Sequence, residues 1–249
     1  MSLEFDNNVK EHYFSLKCIP KSSSTQRIYS LEYNIEPIEK INHTTDGFGN
    51  SIYIGHCLEP HNHFGFEISG IVWVDYSRAK KEVLNRIFLY SSRYVLFSTE
   101  MKEFLNSIEI DSGGSNFNKA TSIMKYVNKN IKYIQGMTDI NTNTDDVLHL
   151  RCGVCQDFAH LMIGLCRLAG VPARYVAGLM IGEGATHAWV EIYDDGIWKG
   201  FDPTNNNIVN DYYVKLSSGR DYGDCVIDKG SFIGFTSQKQ KVYVLVEEI

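Results

Sequence analysis

Arg151-Cys152-Gly153-Val154-Cys155-Gln156-Asp157-Phe158-Ala159-His160-Leu161 decides how the rest of the chain is read. It is a tight turn running directly into a helix, with a cysteine in the first turn. Phe158, Leu161, Met162, Leu165 and Leu168 recur at helical spacing. Ala159, Ile163 and Cys166 fill most of the remaining face, so this helix is expected to be buried nearly all round. Gly170 followed by Pro172 ends it. Cys155 then sits at the positive end of a buried helix, where unpaired N–H groups favour thiolate over thiol, the nucleophilic form. Asp157 opposes this by like charge unless it caps the backbone.

Downstream, Thr186 to Tyr193 reads as a strand, Asp194-Asp195-Gly196 as a hairpin turn, and Ile197 to Pro203 as the returning strand. Ala188, Val190 and Ile192 face the core; His187, Trp189 and Glu191 face the other way. With Asp195-Gly196 as a two-residue turn, Asp194 pairs with Ile197 and Trp189 faces Asp202. His187 is then diagonal to Asp202 on the same face. A loop longer by two residues puts the two directly opposite. In either register their Cβ atoms come within roughly 5–8 Å, whereas a one-residue slip separates the faces. Pro203 helps hold Asp202 extended.

A cysteine at a helix start with a His–Asp pair on a neighbouring hairpin is a parts list for nucleophilic acyl chemistry. Cys155 attacks a carbonyl carbon; His187 stabilises the thiolate and returns a proton to the departing amine. Asp202 orients the imidazole. The backbone N–H of Cys155 points where an oxyanion forms, and the residues name no second donor.

At 249 residues the chain holds one large domain or two smaller ones. A net charge of −6 with no Lys/Arg run argues against a nucleic-acid partner. No apolar segment reaches membrane-spanning length, and the N-terminus lacks a secretory pattern, so a cytoplasmic, membrane-free protein is expected. Cysteines at 18, 57, 152, 155, 166 and 225 form no small-domain framework, which favours free thiols.

Strand-like patterns fill residues 5 to about 76, notably 13–19, 28–35 and 66–74, with a turn cluster at 45–50. An antiparallel β domain is expected there. Residues 78–108 form a connector with a short helix over 98–106. Asp111-Ser112-Gly113-Gly114-Ser115 is the expected boundary between a β-rich domain (1–110, connector included) and a catalytic domain (111–249). Phe117, Ala120, Met124, Val127 and Ile131 mark a helix capped by Ser115 or Asn116. A polar loop (136–143) and a short turn (145–150) lead into the central helix. Beyond it come a strand at 174–181, a mobile loop at 182–185, and a tail strand at 242–246.

Gly153 to Leu161, His187-Ala188-Trp189-Val190-Glu191 and Asp202-Pro203-Thr204 resemble the transglutaminase-like superfamily of papain-type thiol enzymes, in its bacterial branch. The separations, 32 residues from Cys155 to His187 and 15 from His187 to Asp202, are similar to that family's. The core resemblance covers about residues 115–205. Asp46 to Asn50, Ser91 to Tyr94 and Gly219 to Asp224 resemble flanking segments of bacterial members. The resemblance implies an α+β core, a central helix packed on an antiparallel sheet, behind an N-terminal β-sandwich-like domain. It implies a Cys155–His187–Asp202 triad hydrolysing peptide or isopeptide bonds of a peptide or protein substrate through an acyl-enzyme. Acyl transfer from glutamine to an amine, or a catalytically silent binding scaffold, are the alternatives on the same fold. No calcium site maps from the animal enzymes, so no metal or cofactor is expected.

Trp189 and Tyr222 are candidate substrate-binding residues, with core packing and a structural turn as their respective competing readings. Trp198 carries the same pair of readings as Trp189. Cys152 and Cys155 spell C-x-x-C, a redox dithiol or half a zinc site, but no second such pair exists. His56, Cys57, His61 and His63 cluster within eight residues, where 59–63 reads as a turn bearing surface histidines. His160 is read as a packed or hydrogen-bonded helix residue.

Overall fold

A computed structural model describes residues 1–110 and 113–249. The alternating pattern of the first third becomes five antiparallel strands: β1 (Ser2–Leu16), β2 (Gln26–Glu36), β3 (Lys40–Thr45), β4 (Ser51–Cys57) and β5 (His61–Val74). They lie in the order β2-β5-β1-β4-β3. β1 bends at Glu11, whose φ of +48° is left-handed. Its first half pairs with β5 and its second half with β4. Phe5 and Val9 thereby meet Phe14, Leu16, Ile35 and Phe64 in one core. The sandwich-like domain is one sheet folded about β1.

The turn expected at 59–63 is shorter, because β5 already begins at His61. His61 reaches back to β1, its Nε2 lying 3.2 Å from His12 Nδ1. Among the described residues, no group of three or more His, Cys, Asp or Glu side chains is placed to hold a metal ion. Likewise among them, no helix is long and apolar enough to cross a membrane.

Past the connector, Ser98 caps α1 (Thr99–Asn106), and Ser115 caps α2 (Asn116–Asn130). Asp111 and Ser112 of the expected boundary lie outside the described residues. α2 buries Ala120, Ile123, Met124 and Val127. Two-residue strands β6 (Lys132–Tyr133) and β7 (Cys152–Gly153) pair in parallel. Between them, 144–150 is a helix rather than a turn. α3 (Thr144–Leu150) is closed by a reciprocal capping box of Asn143 and Asp146.

α4 (Cys155–Leu168) is buried from Asp157 through Arg167, as its all-round apolar pattern requires. Helices α1–α3 pack against it. So does a five-stranded antiparallel sheet in the order β12-β11-β10-β8-β13, on which α2 also rests. Its strands are β8 (Ala173–Met180), β10 (His187–Asp194), β11 (Ile197–Asp202), β12 (Asn207–Ile208) and β13 (Tyr213–Gly219). The segment read as a mobile loop contains a short strand, β9 (Gly182–Gly184). After β13, two strands return to the first domain: β14 (Asp228–Ile233) and β15 (Gln238–Lys241) both pair with β1. A division at 110/111 therefore separates in sequence what the first sheet joins in space. The tail strand β16 (Val244–Val246) pairs with β9.

The two halves are bolted together at the ends of β4 and β13. Asn50 is buried; its amide donates to the Ser218 carbonyl at 2.8 Å, and its carbonyl accepts from the Ser218 N–H at 2.8 Å. Asp46 accepts from Lys17 Nζ at 2.8 Å, and Lys17 also donates to the Asp224 carbonyl. From α4, buried Arg167 donates to the carbonyls of Tyr90, Ala173 and Arg220. Segments 90–94 and 218–224 thus meet on the flank of the central helix, and 46–50 joins them through Ser218.

Candidate active site

The backbone from Cys152 to Val154 is extended, with Val154 at φ −110° and ψ −177°, and turns helical at Cys155. Val154 offers no capping side chain. Asp157 does this instead, its Oδ2 accepting from the Val154 N–H at 2.7 Å and from the Thr138 hydroxyl at 2.7 Å. Burial outweighs these hydrogen bonds and raises the Asp157 pKa, which weakens its opposition to a thiolate at Cys155. Gly153 is required for this approach, since a Cβ there would lie 2.5 Å from Asp157 Oδ2. The extended run also puts the Cys152 and Cys155 Cα atoms about 10 Å apart. That is beyond the roughly 7 Å reach of a disulfide, which weighs against a redox dithiol.

The hairpin takes the two-residue turn: Asp194 pairs with Ile197 and Val190 with Phe201. His187 opens β10, Asp202 closes β11, and His187 Nε2 lies 2.8 Å from Asp202 Oδ2. Asp202 is fully buried. Its Oδ2 also accepts from Asn205 Nδ2 at 2.8 Å and from the Tyr213 hydroxyl at 2.9 Å. Its Oδ1 accepts the backbone N–H groups of Thr204 and Asn205. A carboxylate so surrounded by donors acts only as an acceptor. Burial opposes its charge, but the bonds from His187, Asn205 and Tyr213 win and lower its pKa. The His187 proton facing Asp202 is therefore on Nε2, leaving Nδ1 for Cys155. Burial disfavours the imidazolium, yet hydrogen bonding to Asp202 and Cys155, with the Asp202 charge, raises His187 to about 9.

The chain has relatives in sequence and in fold. The profile of the transglutaminase-like superfamily matches residues 107–203, and that of the bacterial transglutaminase-like N-terminal region matches residues 1–73. Uncharacterized protein Rv2569c of Mycobacterium tuberculosis is 30% identical over 248 aligned positions, covering 82% of this chain and 76% of that one. The chain belongs to the transglutaminase-like superfamily. Uncharacterized protein ML0607 of Mycobacterium leprae is 37% identical over 120 residues; the match spans 44% of this chain and less than half, 43%, of that relative. A crystal structure of a candidate cysteine protease from Cytophaga hutchinsonii shares the fold. Its TM-score is 0.77 at 24% identity, over 98% of this chain and 88% of that one.

Within this transglutaminase-like core, Trp189 follows its packing reading and not the substrate-binding one. It is fully buried, its ring stacked beside His187 at 6.4 Å and edge-on to Tyr213 at 5.4 Å. The hairpin face that carries it is closed over by Val209, Tyr213 and Tyr76 rather than by solvent, so Trp189 backs the imidazole. Trp198 is also packed, under the Arg174 guanidinium at 4.0 Å, near the hairpin turn and away from His187. Tyr222 is half-buried, against the core cluster that Cys155 also borders. Its backbone N–H donates to His160 Nε2 at 3.0 Å. Burial lowers His160 to about 4, which keeps it neutral and an acceptor. The competing structural reading of Tyr222 thus describes its backbone, while its ring stays partly accessible. Two members of the cluster went unread in the sequence, Asn205 and Tyr213. Asn205 follows Asp202 by three residues in a turn-forming Asp-Pro-Thr-Asn run, a usable local signal. Tyr213 carries none.

Proposed function

We propose that this protein is a thiol enzyme that hydrolyses amide bonds of peptides or proteins through a thioester on Cys155. The observation that carries the reading is the His187 imidazole held between Asp202, at 2.8 Å, and Cys155, with its proton affinity raised by both. The Cys155 thiolate attacks the carbonyl carbon, forming C–S while the π pair moves to oxygen. The helix N-terminus and the Cys155 N–H face that oxyanion. Collapse expels the amine, which takes the proton from His187 Nδ1. Neutral His187 then accepts a proton from water attacking the thioester, releasing the acid and restoring thiolate and imidazolium. Asp202 keeps Nε2–H engaged throughout. An amine in place of that water gives the transfer alternative by the same steps.

Iodoacetamide alkylation of Cys155, followed by mass spectrometry from about pH 4 to about pH 9, tests the pair. The parent is expected to react well below the roughly 8.5 of a free thiol, and His187→Ala to lose that reactivity. An ordinary or inert Cys155, indifferent to His187, overturns the enzyme reading in favour of a binding scaffold. Products from peptide and amine substrates then separate hydrolysis from transfer.

A further inference from the structure

Asp202 Oδ2 is shared by three side-chain donors, of which the Tyr213 hydroxyl comes from a strand that brings nothing else to the cluster. We propose that Tyr213 is a positioning residue that pins the Asp202 carboxylate against His187 and, by taking a share of its negative charge, sets the pH at which the imidazolium loses its proton. The inference rests on the thiol-enzyme reading above.

The hydroxyl has little freedom to do anything else. Tyr213 is 4% exposed, and Val176, Trp189 and Val209 surround its ring. Its own carbonyl accepts from the Tyr76 hydroxyl of the connector, which fixes the strand start. Trp189 and Tyr213 form a shelf beside His187, and Gly178 lets it close, because a Cβ there would lie 2.3 Å from both the Trp189 ring and the Val214 carbonyl. Burial and the Asp202 charge push the Tyr213 pKa upward, so it stays a phenol and donates. The groups facing Asp202 are His187 from β10, Asn205 from the turn after β11, and Tyr213 from β13; Cys155 of α4 faces the far side of His187.

The sign follows from sharing. Three donors on one oxygen each draw on the same lone-pair density. Without the phenol, more of the negative charge falls to His187, and the imidazolium is held more tightly. A hydrogen bond to a charged group is worth on the order of one to two pK units to that group. A part transmitted to the next residue is about half a unit. The carboxylate also gains freedom to turn, which loosens the His187 orientation.

The test is an isotope-edited histidine NMR titration of the full-length parent and Tyr213→Phe, with His187 identified by its loss in His187→Ala. The pH profile of Cys155 alkylation is recorded alongside. The expected result is a His187 midpoint raised by about half a unit or more in Tyr213→Phe, the ring and fold being retained. Asn205→Ala, which removes another donor from the same oxygen at an exposed position, is expected to move it the same way. A Tyr213→Phe titration superimposable on a parent that does show the acid-shifted Cys155 overturns the positioning role alone. An ordinary His187 and an ordinary Cys155 in the parent overturn the thiol-enzyme reading, and this role with it. If Tyr213→Phe does not fold, a fluorinated tyrosine at 213, a stronger donor, is expected to lower the midpoint. No movement there overturns the role.

Discussion

Glu191→Gln is expected to cost about 3 kcal/mol of stability at neutral pH. One buried oxygen, Glu191 Oε2, accepts from Arg174 Nε at 2.6 Å and from Lys215 Nζ at 2.7 Å. These donors belong to β8 and β13, so the carboxylate clips β10 to both, along the strand that begins with His187. Burial opposes ionisation, but Arg174 and Lys215 hold Glu191 at about 2 against 4.5 unfolded. That difference, at about 1.36 kcal/mol per unit, gives about 3 kcal/mol. A second route agrees: removing one partner of a buried ion pair costs roughly 3–5 kcal/mol. Burial and the Arg174 charge push Lys215 down to about 8, against the pull of Glu191, so the variant leaves that ammonium with no counter-charge in contact. Glutamine mimics the protonated acid, which sets the pH dependence. The folded pKa is depressed, so the contribution is complete above about pH 4.5 and fades as pH falls towards about 2. Urea unfolding of parent and variant, followed by tryptophan fluorescence, is expected to show the full gap at about pH 7 and roughly half of it at about pH 3. A gap under about 1 kcal/mol at neutral pH, or one that ignores pH, refutes the reasoning.

Asn50→Ala strands the Ser218 N–H and carbonyl and one Asp46 contact in the bolt between the halves. A loss of about 1–3 kcal/mol is expected from the urea midpoint, and an unchanged midpoint contradicts it. Gly178→Ala drives a methyl group into the Trp189 ring behind His187. About 1–3 kcal/mol of destabilisation is expected, with slower Cys155 alkylation near neutral pH; full reactivity would mean that the shelf does not position the imidazole. For His187, burial is outweighed by Asp202 and Cys155, and the folded pKa rises to about 9 from 6.5. The stability it contributes is therefore complete below about pH 6.5 and lost as pH rises through about 9. The gap between parent and His187→Gln in unfolding free energy should shrink over that window, and a gap that widens reverses the assigned sign.

What the chain determined by itself is local. The spacing of Phe158, Leu161, Met162, Leu165 and Leu168 dictates a buried helix, and the tight turn before it places Cys155 at its start. In either register that a turn at Asp195-Gly196 allows, a period of two puts His187 and Asp202 on one face, and the structure takes the shorter turn. These features depend on neighbours a few residues apart, where turn geometry and side-chain periodicity leave few options. Asn143 with Asp146 was as local, yet too short a run to read as a helix rather than a turn. Only the tertiary structure decided the rest. Tyr213 reaches Asp202 from a separate strand, and a buried tyrosine reads the same in sequence whether it packs or donates. Asn50 meets Ser218 across 168 residues, and β14 and β15 return to β1 from the far end of the chain. Trp189 is legible as sharing the His187 face, with groove wall and core packing both open. Strand alternation tells which side chains share a face, whereas the element that covers that face is set by long-range packing, which leaves no periodic trace.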